Sequence, residues 1–153
     1  MAPVKTTRSM PMSLLRAREA VMSQFRPMLA KYDVTEQQWR VIRTLGETSP
    51  LEATELADRT SILAPSLTRI IKALVDRKLI ARTKSMGDGR RVELSITPGG
   101  QRLIDKVSPE ANAIYAALKK RMGAKRYEET LDTLEGIAAL GRRNGRIIAD
   151  APE

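Results

Sequence analysis

The sequence predicts a mainly α-helical fold with one small β-hairpin, and three features of the chain support that prediction. Apolar residues recur at every third or fourth position over most of its length, as they do in amphipathic helices. Two short runs, 79–84 and 91–96, instead alternate apolar with polar residues, which is the period of a half-buried strand. The segment 86–90 between them contains two glycines and predicts the turn of a hairpin.

The first three helices can be placed from their apolar spacing and their end signals. The first is predicted over 12–31, with a bend at Pro27, whose ring clashes with the preceding helical turn. Thr35 and Gln38 match a capping box, in which each side chain pairs with the other residue's backbone amide, so the second helix begins there. A short third helix is predicted over 54–59, after a Ser-Pro break.

The fourth helix is the one whose two sides differ most. Pro65 suits its first turn, where the missing N–H has no helical partner in any case. Apolar residues at helical spacing form one side, namely Leu67, Ile70, Ile71 and Leu74. The opposite side is therefore turned toward solvent. A fifth helix is predicted from Pro98 to Gly123 and a last one over 125–149.

Composition limits the classes of function. A chain of 153 residues with 3% aromatic and 29% charged residues predicts one domain with a thin aliphatic core, which favours self-association. The absence of cysteine and histidine excludes disulfides, thiol chemistry and metal sites built from those residues, and we expect no cofactor and no metal. No apolar run reaches the roughly 18 residues of a membrane span, so we expect a cytoplasmic protein.

Positive charge is concentrated in one stretch of the chain. The net charge is +9 and the isoelectric point is about 10.3. Residues 64–102 contain nine lysines and arginines against three acids, which places +6 of that charge around the fourth helix and the hairpin. This clustering favours a site that binds a polyanion, above all nucleic acid, over the alternative of a surface that is basic in general and binds no particular partner. The grooves of duplex DNA accept both a helix and a β-ribbon.

The order of elements and four sequence segments resemble the MarR family of bacterial transcription regulators, whose fold is a winged helix-turn-helix on a helical dimerisation base. The four segments are 64–71 (APSLTRII), 79–82 (LIAR), 88–91 (DGRR) and 94–100 (LSITPGG). Three further segments resemble one branch of this family, the branch that represses the homoprotocatechuate, or 4-hydroxyphenylacetate, degradation operon. They are 14–20 (LLRAREA), 25–27 (FRP) and 35–40 (TEQQWR). The resemblance implies a single domain, 1–153, with a winged module at 50–97 and a dimerisation and ligand-binding base formed by 10–48 and 98–149.

The resemblance also implies a homodimer that binds an inverted repeat in double-stranded DNA. On the exposed side of the fourth helix, Arg69 has a fork that fits guanine, and Lys72 is a point charge suited to phosphate. In the hairpin, Asp88 and Arg90 match the family's Asp-x-Arg pattern, in which the arginine enters the minor groove and the aspartate steadies the hairpin, while Arg91 suits a phosphate. The full predicted set of DNA contacts is Pro65, Ser66, Thr68, Arg69, Lys72, Lys84, Asp88, Arg90 and Arg91.

The branch resemblance implies a sensor for a small aromatic carboxylate. Such a ligand needs an apolar slot, a cation for its carboxylate and a polar group for a ring hydroxyl. The candidates on the first two helices are Arg18, Ser23, Arg26, Trp39 and Arg43. Trp39 and Arg43 are four residues apart and share a helix side, so a ring and a cation can meet one ligand. Arg16 and Arg40, by contrast, are expected to be solvated.

Several alternatives stay open. The first is a DNA-binding regulator or architectural protein without a small-molecule sensor. The second is an enzyme that uses paired acids such as Glu128 and Glu129, but nothing in the sequence indicates the desolvated cleft that acid-base catalysis needs, and we expect no catalytic residues. The third is a protein that attaches to a membrane surface through the basic run 119–121. The alternative to the homodimer is a monomer in which the terminal helices form a cap.

Overall fold

The computed structural model describes residues 5–84, 87 and 91–144, and for residues 142–144 only the backbone. After a 3-10 turn at Thr6–Arg8, the described chain has six α-helices and three strands. In chain order they are α1 (Met10–Ala30), α2 (Glu36–Glu47), β1 (Leu51–Glu52), α3 (Ala53–Thr60), α4 (Ala64–Asp76), β2 (Ile80–Lys84), β3 (Val92–Ile96), α5 (Pro98–Met122) and α6 (Ala124–Asn144). The predicted mainly helical fold with a small hairpin is confirmed.

The helices begin and end close to the predicted residues. α1 begins two residues earlier than predicted and contains Pro27 near its end. α2 has the predicted capping box, because the backbone amide of Gln38 donates to Thr35 Oγ1 and the backbone amide of Thr35 donates to Gln38 Oε1, each at 3.1 Å. α6 is described as far as Asn144, so its predicted end at residue 149 lies outside the described residues.

The three strands form one antiparallel sheet in the order β1-β3-β2. Ile80 pairs with Ile96, and Leu94 lies between Arg82 of β2 and Leu51 of β1. β1 was not predicted, because a strand of two residues is too short to show alternation. Since α3 follows β1 directly, this pairing ties the hairpin of β2 and β3, which we call the wing, to the start of α3.

The core of the sheet and its neighbouring helices is aliphatic, as the composition predicted. Leu45 of α2, Leu56 of α3 and Leu74 of α4 are fully buried, and so are Ile80 and Leu94 of the sheet. Burial of one such side chain contributes roughly 1.5–3 kcal/mol. The predicted apolar side of α4 is buried throughout, so packing fixes which side of this helix remains exposed.

The chain divides into two compact units after Asn112, within α5. The first unit contains α1 to α4, the sheet and the beginning of α5, and the second contains the rest of α5 and α6. The division into a winged module and a helical base is a functional one and stays a prediction. Among the described helices, none combines the length and the apolar character that crossing a bilayer requires.

Within the first unit, Glu110 of α5 holds the end of α1. Tyr32 Oη donates to Glu110 Oε1 at 2.6 Å, and Lys31 Nζ lies 3.1 Å from Glu110 Oε2. The hydrogen bond from Tyr32, followed by the one from Lys31, lowers the pKa of Glu110, and the bond to Glu110 raises the pKa of Tyr32. The charged form of Glu110 is therefore the one that stabilises the folded chain.

Tyr32→Phe is expected to lower the midpoint of thermal denaturation, because it removes the hydroxyl that Glu110 accepts. The pKa of Glu110 is depressed on folding, so its contribution is present above the ordinary carboxyl pKa and is lost as pH falls through the folded value. The difference between wild type and variant should therefore shrink in acid. Melting curves at neutral and acidic pH measure it, with Tyr127→Phe as control. Equal midpoints at neutral pH would argue against the contact.

Candidate functional site

The outward side of α4 brings the predicted helix contacts together. Its exposed or half-buried residues include Pro65, Ser66, Thr68, Arg69 and Lys72. Arg69 and Lys72 form no hydrogen bond or ion pair with another described residue, so both cations are available to an anion. The Thr68 hydroxyl donates to the Ala64 carbonyl at 3.0 Å, which leaves its oxygen free to accept from an incoming donor. This side can therefore bind both anions and hydrogen-bonding groups.

The wing carries the remaining predicted DNA contacts. Lys84 is exposed at the end of β2. Arg91 lies directly before β3, and its Nη1 is 3.2 Å from Glu52 Oε1, so it joins the wing to the residue before α3. Asp88 and Arg90 lie outside the described residues. The cation at position 91 is thus partly compensated by an acid, unlike those on α4.

A three-residue turn, 61–63, joins α3 to α4 and forms the turn of the helix-turn-helix. Ser61 has a φ of 53°, in the left-handed region that ends helices. Ile62 is buried, whereas the side chain of Leu63 is 79% exposed. Leu63 was not predicted as a site residue, because a leucine beside an amphipathic helix is normally part of the core and no local pattern marks its exposure.

Two of the predicted effector arginines, Arg18 and Arg26, lie in an ion-pair network centred on Glu36 at the start of α2. The Glu36 carboxylate contacts Arg18, lies 3.4 Å from Arg26 Nη2 and lies 2.9 Å from Arg40 Nη2. Arg26 also forms a two-point pair with Glu19, each bond being 2.9 Å, and this lowers the pKa of Glu19. A ligand carboxylate would have to compete with Glu36 and Glu19 for these cations.

Arg40 extends this network to α3, so the expectation that it is solvated is wrong. Its side chain is one-third exposed, and its Nη1 donates to the Thr60 carbonyl at 2.8 Å. The last carbonyls of a helix lack helical partners, and a guanidinium with five donors can bind such a carbonyl and a carboxylate at once. Glu36 was not predicted, although its spacing of four residues from Arg40 on one helix is a sequence signal for the pair.

The other predicted effector residues have separate surroundings. Trp39 is 6% exposed and belongs to the core of the described chain. Arg43 pairs with Glu47 at 3.2 Å, and the exposed Ser23 hydroxyl donates to the Ala20 carbonyl at 2.8 Å. A cavity of about 430 Å³ lies near the start of α2 and is lined by Ala30, Asp33, Val34, Thr35, Gln38 and Arg77. It includes none of the predicted effector residues.

Comparison with known proteins identifies the family. The sequence profile of the MarR family matches residues 34–92. The HTH-type transcriptional regulator FarR of Neisseria gonorrhoeae is 38% identical over 86% of this chain and 90% of that protein. The homoprotocatechuate degradative operon repressor of Escherichia coli is 36% identical over 87% of this chain and 90% of that protein. These relatives are transcriptional regulators, which confirms the prediction that the chain is not an enzyme.

Solved structures agree with this family. NadR in complex with 4-hydroxyphenylacetate is 36% identical, with a TM-score of 0.78 over 94% of this chain and 100% of that chain. CouR bound to a 23-mer DNA duplex is 26% identical, with a TM-score of 0.79 over 90% and 99% of the two chains. On sequence identity, coverage and fold together, the chain belongs to the MarR family of transcriptional regulators, as its motifs predicted.

Proposed function

We propose that this chain is a dimeric, sequence-specific DNA-binding repressor of an aromatic-compound catabolic operon, and that a phenolic or aromatic carboxylate releases it from DNA. The observation that carries the proposal is the pair of cations Arg69 and Lys72, exposed and without a described partner on the outward side of α4. The homoprotocatechuate repressor and the NadR complex with 4-hydroxyphenylacetate support the operon and effector classes, and the CouR complex supports duplex DNA.

In this proposal α4 enters the major groove and the wing enters the adjacent minor groove. Arg69 binds a guanine edge through two N–H groups. Lys72, Lys84 and Arg91 bind phosphates, and Arg91 does so while Glu52 holds it against the base of the wing. The arginine of the wing turn, Arg90, enters the minor groove, where a narrow groove concentrates negative potential. The remaining predicted contacts, which hold these side chains in position, are Pro65, Ser66, Thr68 and Asp88.

DNA binding is tested with duplexes selected by the protein from a random-sequence pool. Affinity measured by fluorescence anisotropy should fall linearly on logarithmic axes as salt rises, because each phosphate contact releases a counterion. A nuclease footprint should cover two half-sites roughly 34–36 Å apart, since a two-fold dimer places two reading helices one turn apart. Absence of binding to any duplex at modest salt would exclude the proposal.

The dimer is supported by apolar side chains that the single chain leaves exposed. On α6 these are Leu131, Leu134 and Leu140, which are 39–53% exposed, and on α1 Leu15 is 52% exposed. A second copy would cover such surfaces in the isologous contact of a two-fold dimer. Sizing at low concentration should give twice the 17.0 kDa of one chain. A monomer with full operator affinity would contradict this part.

The proposed effector site contains Arg18, Ser23, Arg26, Trp39 and Arg43. An aromatic carboxylate that takes Arg18 or Arg26 from Glu36 disturbs the network that continues through Arg40 to the end of α3. A ligand shifts an equilibrium only if it binds one state more tightly. The state favoured here is one in which the separation of the two reading helices no longer matches adjacent grooves.

Titration of 4-hydroxyphenylacetate or 3,4-dihydroxyphenylacetate into the protein-DNA complex is expected to release DNA. Because the chain contains one tryptophan, quenching of Trp39 fluorescence reports the same event without DNA. Arg18→Ala should lose the response to the ligand and, because it also removes the contact with Glu36, should bind DNA more weakly without ligand. Arg16→Ala on the same helix should keep both the response and the affinity. If neither compound released DNA or quenched Trp39, this effector class would be excluded.

A regulator without a sensor is the second candidate, and one observation favours it. Arg18 and Arg26 already have partners in the chain, so their charges have a structural use that needs no ligand. DNA affinity that stays constant across a panel of aromatic acids would support this candidate over the first.

A further inference from the structure

The residue before α4, Leu63, has an exposure that its position in the fold does not explain. Its side chain is 79% exposed, the largest value among the large hydrophobic side chains of the described residues. The preceding residue, Ile62, is only 5% exposed, so the turn is anchored in the core and Leu63 is held out from it. Burial within the chain therefore does not account for a leucine at this position.

Helix capping does not account for Leu63 either. It is the N-cap of α4, with φ −64° and ψ 142°, and makes no side-chain capping bond. Serine, threonine, aspartate and asparagine are strongly preferred at an N-cap, because their oxygen accepts from a free backbone amide, and leucine is among the least favourable choices. The chain thus keeps a water-exposed apolar group where a polar one would stabilise the helix.

The position of Leu63 relative to the cations of α4 indicates a partner. In a helix-turn-helix, the first residues of the reading helix meet the base edges at the floor of the major groove. Leu63 directly precedes the helix whose exposed side carries Ser66 and Arg69. The apolar group that the floor of the major groove offers is the 5-methyl of thymine.

We propose that Leu63 is a specificity-determining residue that packs against a thymine 5-methyl group in each half-site. This inference rests on the proposed DNA-binding function and adds one reader to it. It predicts an A·T pair where the start of α4 meets the groove, in the same half-site as the guanine bound by Arg69. A methyl group buried in such a contact is worth about fourfold in affinity per half-site.

The test uses a duplex selected by the wild-type protein from a random pool and the same duplex with deoxyuridine in place of thymidine, which removes only the methyl groups. Wild type should bind the uridine duplex roughly 10- to 20-fold more weakly, as expected for one methyl contact in each of two half-sites. Leu63→Ser, which introduces a capping hydroxyl, should bind both duplexes equally. The matched control Arg69→Ala should bind both more weakly and keep the thymidine-to-uridine ratio. Melting curves check that each variant is folded.

Each outcome decides the inference separately from the proposed function. The inference is supported if Leu63→Ser loses the preference for the thymidine duplex while Arg69→Ala keeps it. An unchanged ratio in Leu63→Ser, or wild type that binds both duplexes equally, overturns it while DNA binding stands. If Leu63→Ser binds both duplexes as tightly as wild type, the inference is also overturned, and the exposed leucine would instead contact another partner, such as a second protein. A wild-type chain that selects no duplex removes the proposed function and this inference together.

Discussion

Arg69→Ala is expected to reduce operator affinity by roughly 1–3 kcal/mol per half-site and to relax sequence preference at the guanine it contacts. The guanidinium donates two parallel hydrogen bonds to a guanine edge, and alanine has no group that can replace them. Arg69 is exposed and without a described partner, so its loss should leave the fold unchanged. Binding to the selected operator and to single-base variants of it measures both effects.

The comparison with Arg90→Ala separates base reading from general attraction. Removing a minor-groove cation should weaken binding to all sequences nearly equally and reduce the salt slope by about one unit. Lys125→Ala changes the net charge of the chain by the same amount and breaks only an exposed 3.7 Å pair with Glu129, so it should leave affinity almost unchanged. Equal loss of discrimination in Arg69→Ala and Arg90→Ala would contradict the assigned roles.

Gly100→Ala is expected to have the largest effect on folding, a loss of about 1–3 kcal/mol or more in the free energy of unfolding. A Cβ at this position would lie 2.1 Å from the Leu79 carbonyl oxygen and 2.5 Å from Ile96 Cδ1. The amide of Gly100 also donates to Thr97 Oγ1 at 3.0 Å, the bond that caps α5. Thr97 Oγ1 in turn donates to the Lys78 carbonyl at 2.7 Å, so the start of α5 cannot move away from the residues before β2 without breaking this bond.

Gly136→Ala is the matched control for Gly100→Ala. A Cβ at Gly136 in α6 would meet no atom within 4 Å, so alanine should increase stability by about 0.5–1 kcal/mol through higher helix propensity. Urea denaturation of the two variants measures both effects. If Gly100→Ala were as stable as wild type, the close contact of α5 with Leu79, just before β2, and with Ile96, at the end of β3, would be wrong.

Local features of the fold were predictable because their causes lie within a few residues of one another. The capping box of Thr35 and Gln38 and the buried side of α4 follow from spacing alone, and both are present. The concentration of cations around α4 and the wing is likewise a property of composition. The clustered cations indicated a polyanionic partner, and the order of the elements together with the family resemblance implied a winged helix-turn-helix.

Pairings between distant residues were decided by the tertiary structure. β1 exists because Leu51 meets Leu94, and its two residues have no pattern of their own. Arg18 and Arg26 were predicted as cations for a ligand carboxylate, yet both contact Glu36, and Arg91 contacts Glu52. A sequence places a charge on a helix side but does not state which oppositely charged side chain another element brings to it.

By itself the sequence determined the type and order of the helices, the hairpin, the family and the side of α4 that carries charge, since each depends on periodicity or on a contiguous motif. Only the tertiary structure decided which of those charges are already paired and that Leu63 is exposed. The physical reason is that exposure and ion pairing depend on what other segments cover a residue, and chain folding brings those segments together from distant positions.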